Sequence, residues 1–255
     1  MSNQREISLY KFDDGTLAQV TDTVAVEEPL AIFINGSELA TLLYTPQMSL
    51  ELALGYLLSE GLISSRDDIA SLSMKKGAVF IQLTKSIPES SHAGKVITSG
   101  CGGGIIFSYP QGVSEIRKVK AGAVAKIDAV LGLASEFRKK SELFEQTGGV
   151  HSAALSDGES FVAFADDIGR HNAVDKVLGS CLLAGVSPFG KLLFTTGRVS
   201  SEILLKCARQ GIPVIISRGA PTSLAVSLGR KLGLTVAGFV RGRRMNIYTH
   251  PGRLV

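Results

Sequence analysis

The sequence lacks several features that define common protein classes. It has no tryptophan, and aromatic residues make up only 6% of its 255 residues, so we expect a core of leucine, isoleucine, valine and alanine. Its three cysteines are odd in number and far apart, which argues against a disulfide framework and favours a reducing cytoplasm. No apolar run approaches the ~18 residues of a membrane helix, and the N-terminus lacks the apolar centre of a signal peptide. We therefore expect a cytoplasmic protein that does not enter a membrane.

Neither sign of charge dominates the chain. There are 27 Lys and Arg residues against 23 Asp and Glu, a formal net charge of +4. This weak excess suits an anionic ligand but is too small for a general nucleic-acid-binding protein, so we expect no nucleic acid partner. The length and the apolar fraction of 45% allow one large domain or two small ones.

The first part of the chain predicts a small α+β unit of the β-grasp or roll type. Two apolar runs flank Asn35-Gly36, a strong hairpin signal. A helix should begin after Pro46 with Ser49 as its N-cap and end at Gly61. A second hairpin should form around Lys76-Gly77. The predicted strands are 30–34, 39–43, 69–74 and 78–83, and residues 84–92 form a polar connector.

The second part predicts a larger α/β unit. Apolar strands alternate with helices, which is typical of a largely parallel sheet covered on both faces. Pro221 should occupy the first position of the last helix, and Gly233 should follow its end. The predicted strands are 150–155, 160–164, 192–195, 214–217 and 235–240, with helices near 127–137, 173–182, 200–210 and 221–232. We predict domains at residues 1–97 and 98–255.

The thiol of Cys101 lies among four glycines, in the run TSGCGGG (98–104). No neighbouring side chain would shield it, and backbone N–H groups of a glycine loop can turn toward the sulfur and favour the thiolate. The alternative is a tight turn that holds an inert small residue. The other cysteines, Cys181 and Cys207, fall on apolar helical stripes and are assigned to the core. Cys101 is therefore the candidate nucleophile.

Three loops that follow predicted parallel strands combine glycine with arginine. In open α/β sheets, ligands collect at the carboxyl ends of the strands. Glycine lets a ligand approach the backbone, and arginine forks bind phosphate. The loops predict a phosphate-bearing ligand, with solvated arginines on ordinary turns as the alternative. They are TGR (196–198), RGA (218–220) and RGRR (241–244).

The densest polar run, DDIGRHNAVDK (166–176), offers a second candidate site. Asn172 could cap the following helix. His171 and Asp175 are four residues apart, so they could meet on one helical face and orient the imidazole for proton transfer or ligand contact. A charged helix start without further function is the alternative.

A metal site is not expected. His151, His171 and Cys101 are the residues that could suggest zinc, but their spacings match no zinc signature, and the chain has neither CxxC nor HxxxH.

From about residue 24 onward the sequence resembles the FdhD family, the formate dehydrogenase accessory sulfurtransferases. The resemblance is specific because it rests on long strings spread over the chain. They are EEPL (27–30), ING (34–36), ELALGYLLSEG (51–61), TSGCG (98–102), TGGVHSA (147–153), DIGRHNAVDK (167–176), TGR (196–198), APTSLA (220–225), FVRG (239–242) and NIYTHP (246–251).

The resemblance implies a sulfur relay. A cysteine desulfurase would load sulfur onto Cys101 as a persulfide, which would pass it to the bis-molybdopterin guanine dinucleotide molybdenum cofactor required by formate dehydrogenase. A guanine nucleotide would mimic part of that cofactor. The resemblance also implies a cytidine deaminase-like α/β/α layered C-terminal domain without its zinc site, and a homodimer. The candidate cofactor-binding residues are Phe239, Val240, Arg241, Gly242, Arg243, Arg244, Arg198, His171 and Arg170.

The sequence departs from the family pattern at Gly104. Well-studied members carry Cys-x-x-Cys, whereas here the second cysteine is replaced by glycine, so Cys101 would carry the sulfur alone. Two other hypotheses remain open. One is a non-catalytic module that binds and delivers the cofactor without moving sulfur. The other, by analogy of fold alone, is a nucleotide hydrolase or deaminase.

Overall fold

The computed structural model describes residues 2–85, the backbone of Lys95–Ile97, residues 116–119 and residues 125–255. Cys101 and its glycine run lie outside the described residues, as does most of the predicted connector. The strands are β1 (Gln4–Asp13), β2 (Thr16–Ala25), β3 (Glu28–Ile34), β4 (Ser37–Tyr44), β5 (Ile69–Lys75), β6 (Ala78–Leu83), β7 (Lys95–Ile97), β8 (His151–Ser156), β9 (Phe161–Asp167), β10 (Leu192–Thr195), β11 (Val214–Ser217), β12 (Thr235–Arg241) and β13 (Arg244–Thr249). The helices are α1 (Ser49–Glu60), α2 (Ile127–Lys139), α3 (Glu142–Thr147), α4 (Arg170–Ala184), α5 (Ser201–Arg209) and α6 (Ser223–Leu232).

The predicted hairpin–helix–hairpin unit is present. Strands β3 and β4 pair antiparallel, as do β5 and β6, and all four belong to a five-stranded sheet of order β5-β6-β3-β4-β7. The N-cap prediction for α1 is wrong by one residue. Met48, in the left-handed region, precedes the helix, because the Ser49 hydroxyl is hydrogen-bonded to the Tyr44 hydroxyl at 2.8 Å. Gly61 ends the helix at φ 76°, as expected.

The second large sheet has six strands in the order β13-β12-β11-β10-β8-β9. Only the three central strands, β10, β11 and β12, run parallel to each other. The outer pairings are antiparallel because β8 and β9 form a hairpin and β13 returns beside β12. The prediction of a largely parallel sheet therefore holds only at its centre. The mixed α/β class, with a layered C-terminal part and a smaller α+β N-terminal part, is confirmed.

The two faces of the six-stranded sheet are covered by different layers. Alternate residues of one strand point to opposite faces. On β10, Leu193 faces the cluster that contains α4, α5 and α6, whereas Leu192 and Phe194 face the cluster that contains α2. The first cluster continues through α1 into the five-stranded sheet, so one hydrophobic core joins both predicted domains. The boundary at residues 97 and 98 stays a prediction.

Helices α1 and α4 approach each other at backbone distance. Two glycines make this possible, one on each helix. A Cβ added to Gly55 would lie 1.7 Å from the carbonyl oxygen of Asp175, and one added to Gly179 would lie 1.9 Å from that of Glu51. All residues from Leu52 to Glu60 are buried, so α1 has neighbours on every side.

Two buried ion pairs flank this helix contact. The Lys176 ammonium is 2.7 Å from the Asp167 carboxylate, and neither side chain is exposed. Lys206 of α5 pairs with Asp175, whose other oxygen accepts a hydrogen bond from Ser59 of α1. Among the described residues no helix is long and apolar enough to cross a membrane.

Candidate functional site

The three glycine–arginine loops meet at one edge of the six-stranded sheet, as the sequence predicts. Backbone hydrogen bonds join the second loop to the residues on either side of the first loop and to β12, two residues before the third loop. The Arg218 N–H donates to the Thr195 carbonyl at 3.1 Å, and the Val199 N–H donates to the Ala220 carbonyl at 3.0 Å. Farther along the edge, the Phe239 N–H donates to the Gly219 carbonyl at 3.1 Å. The carboxyl ends of β10, β11 and β12 therefore form one continuous surface.

Two glycines allow this close packing of loops. A Cβ on Gly219 would lie 2.9 Å from the Gly197 carbonyl oxygen, and a Cβ on Gly197 would lie 2.7 Å from the Cβ of Arg170. Contacts this short require a displacement of the neighbouring atoms, so larger residues would push the loops apart. The same contact places Arg170, at the start of α4, beside the loop after β10.

An arginine cluster, which consists of Arg138, Arg218 and Arg241, borders two cavities at this edge. One cavity of about 370 Å³ lies between α2 and the end of β12, and a second of about 460 Å³ extends toward His151 and Thr196; all three arginines line both. The pKa of Arg218 is lowered by burial and by repulsion from Arg138 and Arg241. None of the three forms an ion pair within the described part of the chain. Uncompensated cations held this close create a site for an anion.

Arg138 is the site residue that sequence reasoning missed. It lies in the last turn of α2, next to Phe137. The spacing of Phe137 and the other apolar residues of this helix predicted only which face of the helix is buried. The helix periodicity identifies which residues face the core but not which edge of the sheet the helix reaches. A basic residue in the last turn is also expected from the helix dipole alone, so nothing singled it out.

The predicted segment from Phe239 to Arg244 is the β12–β13 hairpin rather than a loop after the last strand. The pairing is irregular between Gly238 and Arg241, and Phe239 adopts a positive φ of 54° with 41% of its surface exposed. Val240 packs into the core, while Gly242 and Arg243 form the turn. Arg243 pairs with exposed Asp128 at 3.5 Å, and Arg244 is exposed. The hairpin therefore exposes an aromatic ring and places Arg241 at the first cavity.

Two histidines lie next to the loop after β10. His151 Nδ1 is 3.2 Å from the Thr196 hydroxyl, and burial together with Arg170 and Arg198 lowers its pKa. Arg198 itself is exposed. The pKa of His171 is lowered to about 3, by burial first and then by Lys206, Arg170 and His151. Both imidazoles are therefore neutral at neutral pH.

The pairing of His171 with Asp175, one of the two alternatives left open by the sequence, is not formed. His171 Nδ1 lies 3.1 Å from Glu202 of α5, while Asp175 binds Lys206 and Ser59. The four-residue spacing does place both residues on one face of α4, but α5 supplies a separate partner to each. His171 Nε2 is buried and has no hydrogen-bond partner among the described residues.

Two helix starts also differ from the predictions. Asn172 does not cap α4; Gly169 occupies the N-cap, and the Asn172 amide instead donates to Asp167 and to the Leu43 carbonyl. Pro221 lies two residues before the first helical position of α6, because Thr222 is the N-cap and its hydroxyl accepts the Ala225 N–H. Gly233 follows the helix as predicted.

The buried cysteines are confirmed as core residues. Burial raises the pKa of Cys181 to about 11 and raises that of Cys207 further, so both thiols stay protonated. Across the described residues, no group of three His, Cys, Asp or Glu side chains could hold a metal ion. The placement of Cys101 relative to the arginine cluster lies outside the described residues.

The fold and site together define a mixed α/β protein with arginine-lined cavities at the carboxyl edge of its parallel strands. The model of the FdhD/NarQ family matches residues 25–255. Sulfur carrier proteins FdhD from Bacillus subtilis and Staphylococcus haemolyticus are 38% and 39% identical over 250 and 251 residues, which cover 96% and 97% of this chain and 95% of each relative. A crystal structure from Desulfotalea psychrophila, described as that of a candidate formate dehydrogenase accessory protein, matches with a TM-score of 0.84 and 27% identity over 100% of both chains.

The chain belongs to the FdhD/NarQ family. The family resemblance identified from the sequence strings is thereby confirmed.

Proposed function

We propose that this protein is a sulfur carrier that supports the maturation of formate dehydrogenase. Family membership over nearly the whole chain and the name shared by the curated relatives support the general role. The arginine cluster at the sheet edge is the observation on this chain's own residues that supports the proposal, because three arginines without ion-pair partners among the described residues suit an anionic cargo.

The proposed sulfur donor is a cysteine desulfurase that carries a persulfide. The Cys101 thiolate attacks the terminal sulfur of that persulfide, a new S–S bond forms, and the desulfurase cysteine leaves as a thiolate. Delivery to a reduced molybdenum centre returns Cys101 as a thiolate, and the metal is formally oxidised by two electrons as it takes up the neutral sulfur atom. One cysteine is sufficient for both steps, so Gly104 in place of a second cysteine does not prevent the cycle.

The proposed cargo is the bis-molybdopterin guanine dinucleotide molybdenum cofactor. Each of its dinucleotides carries a pyrophosphate, and Arg138, Arg218 and Arg241 are three uncompensated cations that border two adjacent cavities. The exposed ring of Phe239 adds a flat apolar surface on which a planar heterocycle can stack. His151 and Thr196 supply hydrogen-bonding groups in the second cavity.

Sulfur loading is tested by mass spectrometry after incubation with a cysteine desulfurase and cysteine. The peptide that contains Cys101 is expected to gain about 32 Da, the mass of one sulfur atom, and the gain should disappear on reduction. The peptides of Cys181 and Cys207 serve as internal controls, because their buried thiols are protonated and should stay unmodified. Absence of the adduct on Cys101 would contradict the carrier role.

Cargo binding is tested with GDP as a probe. Arg218→Ala and Arg241→Ala are each expected to weaken GDP binding at least tenfold, because each removes a charge-assisted contact worth about 1.5–3 kcal/mol. Arg230→Ala removes the same charge from an exposed position on α6 and should leave the affinity unchanged. Isothermal titration calorimetry measures all three. Equal affinities in the Arg218, Arg241 and Arg230 variants would refute the placement of the site.

Cofactor delivery without sulfur transfer is the second candidate function. The intact arginine cluster and the replacement of the second cysteine by Gly104 favour it. In cells that lack the native protein, Cys101→Ala would then still support formate dehydrogenase activity while Arg241→Ala would not. Loss of activity in both variants favours the carrier.

A further inference from the structure

A third cavity lies at the opposite edge of the six-stranded sheet from the arginine cluster. It has a volume of about 710 Å³ and is bordered by the turns that precede β10 and β11. The Gly190 N–H donates to the Gly211 carbonyl at 3.0 Å, so these two turns meet at the amino ends of the parallel strands. Strand β10 has 4 residues and therefore spans roughly 13 Å. The third cavity is thus separate from the candidate cargo site.

The third cavity combines an apolar floor with a cationic rim. Its floor is formed by four buried apolar side chains, namely Leu58, Ile63, Val119 and Ala208. Its rim carries Arg117, Lys118 and Arg209, and none of these cations forms an ion pair with a described residue. No Asp or Glu lies among the described residues that line the cavity. The positive charge of the rim therefore favours a partner of opposite charge.

The backbone at the end of α1 makes room for the Arg209 guanidinium. A Cβ added to Gly61 would overlap with Arg209 Nη1, so a larger residue would displace the guanidinium. The Nε of the same side chain is buried and has no hydrogen-bond partner among the described residues. A buried donor without a partner costs free energy, so a carboxylate that reaches this guanidinium would gain a charge-assisted hydrogen bond.

The Phe189 ring is exposed but held in place. It is 67% exposed, yet it rests on Gly211, where an added Cβ would lie 2.5 Å from the ring atom Cδ2. The turn that carries the ring is fixed as well, because the Phe189 N–H donates to the Ser187 hydroxyl at 3.3 Å. A rigid aromatic side chain loses little conformational entropy when a partner packs on it, and aromatic residues are enriched at the centres of protein interfaces.

These features fit a protein segment better than a small anion. A small-ligand site encloses most of the surface of its ligand. Here Arg117 and Lys118 are exposed, and the Phe189 ring stands largely in solvent. A protein interface, in contrast, has an apolar centre that is surrounded by a polar rim. The apolar floor and the cationic rim of the cavity have this arrangement.

We propose that the third cavity is a docking groove for an acidic segment of a partner protein. An apolar side chain of the segment packs on the floor beside Phe189, and carboxylates on either side of it pair with Arg209, Arg117 and Lys118. The inference goes beyond the proposed function, because it depends neither on sulfur transfer nor on the cargo.

Fluorescence anisotropy of a labelled probe peptide tests the groove with the full-length protein. The probe has a central phenylalanine with three glutamates on each side, and the control peptide has glutamine in place of every glutamate. The protein is expected to bind the probe about tenfold more tightly than the control, since several surface ion pairs form. Alanine in place of the phenylalanine of the probe should weaken binding by a similar factor.

Charge reversal on the rim locates the binding site of the probe. Arg209→Glu and Arg117→Glu are each expected to weaken probe binding about tenfold, because an attractive contact becomes repulsive. Arg117 is exposed, so its substitution should leave the fold intact. Lys76→Glu, in the exposed β5–β6 turn, makes the same change of charge and should leave the affinity unchanged.

Three results would each overturn the proposal. The first is equal affinity for the acidic and the glutamine peptides, or an equal effect of Arg117→Glu and Lys76→Glu. The second is loss of probe binding in Arg218→Ala but not in Arg209→Glu, which would assign the probe to the arginine cluster. The third is a change of oligomeric state in Arg117→Glu, measured by analytical ultracentrifugation, which would assign the groove to a second copy of the chain.

Discussion

Gly179→Ala is expected to lower the free energy of unfolding by more than about 3 kcal/mol, beyond ordinary overpacking costs. The new Cβ would lie 1.9 Å from the carbonyl oxygen of Glu51 and 2.6 Å from its carbonyl carbon. Both atoms belong to the backbone of α1, so no side-chain rotation can relieve the clash and the two helices must separate. Gly55→Ala should act in the same way through the backbone of Asp175.

Urea denaturation followed by circular dichroism measures the effect. Gly132→Ala is the matched control, because this glycine lies in α2 and an added Cβ would meet nothing within 4 Å. Alanine has the higher helix propensity, so Gly132→Ala should raise the free energy of unfolding by up to about 1 kcal/mol. A Gly179→Ala protein as stable as wild type would show that the helices do not approach this closely.

Lys176→Met is expected to cost about 3–5 kcal/mol, because it leaves a buried carboxylate without its cation. The Lys176 ammonium lies 2.7 Å from the Asp167 carboxylate and donates to the carbonyls of Thr45 and Asp166, each at 3.0 Å. Burial raises the pKa of Asp167, and the ammonium opposes that rise. Without the ammonium, the Asp167 pKa in the folded variant should rise further above its unfolded value.

The pH dependence distinguishes this mechanism from simple loss of packing. In Lys176→Met, Asp167 binds more protons in the folded than in the unfolded protein, so the variant's stability should fall as pH rises above the ordinary carboxyl pKa of about 4. The deficit relative to wild type should therefore be smaller at pH 5 than at pH 8, as measured by urea denaturation. Lys139→Met, at an exposed position on α2, should cost little at either pH. A pH-independent deficit in Lys176→Met would argue against a stranded Asp167 charge.

Local backbone signals predicted most of the secondary structure. Asn35-Gly36 forms its turn, and Gly61 and Gly233 end their helices, as expected. These features are predictable because only a few residue types readily adopt a positive φ, and they do so without a contact to a distant part of the chain. The Asp14-Gly15 turn carried the same signal for β1 and β2, and their hairpin could have been predicted from it.

The helix starts were harder to predict because polar side chains have alternatives to capping. Ser49 binds a tyrosine hydroxyl, and Asn172 binds Asp167 and the backbone of β4. The sequence shows that these side chains can form hydrogen bonds, but it does not show which group from another part of the chain the fold will bring next to them. The same reason explains why Asp175 is not the partner of His171, since Glu202 lies on another helix.

The candidate site was predictable where it depends on topology. Strand-end loops of neighbouring parallel strands must meet, so Arg218 and Arg241 could be placed together from sequence alone. Arg138 could not, because its position depends on how α2 packs across the sheet. The role of Cys101 was inferred from its glycine neighbours and from the family resemblance, and it stays a prediction.

The contact between α1 and α4 limits how the two predicted domains can move. If the two domains moved about a hinge, the backbones of α1 and α4 would have to slide past each other, although their glycines leave no space between them. The movement would also open the hydrophobic core that both domains share. The molecule should therefore behave as one rigid body at the centre, with its lowest-cost motions at the periphery. Among the described residues, we therefore expect any rearrangement that admits or releases the proposed anionic cargo to involve the β12–β13 hairpin, which carries Arg241, rather than a hinge between the domains.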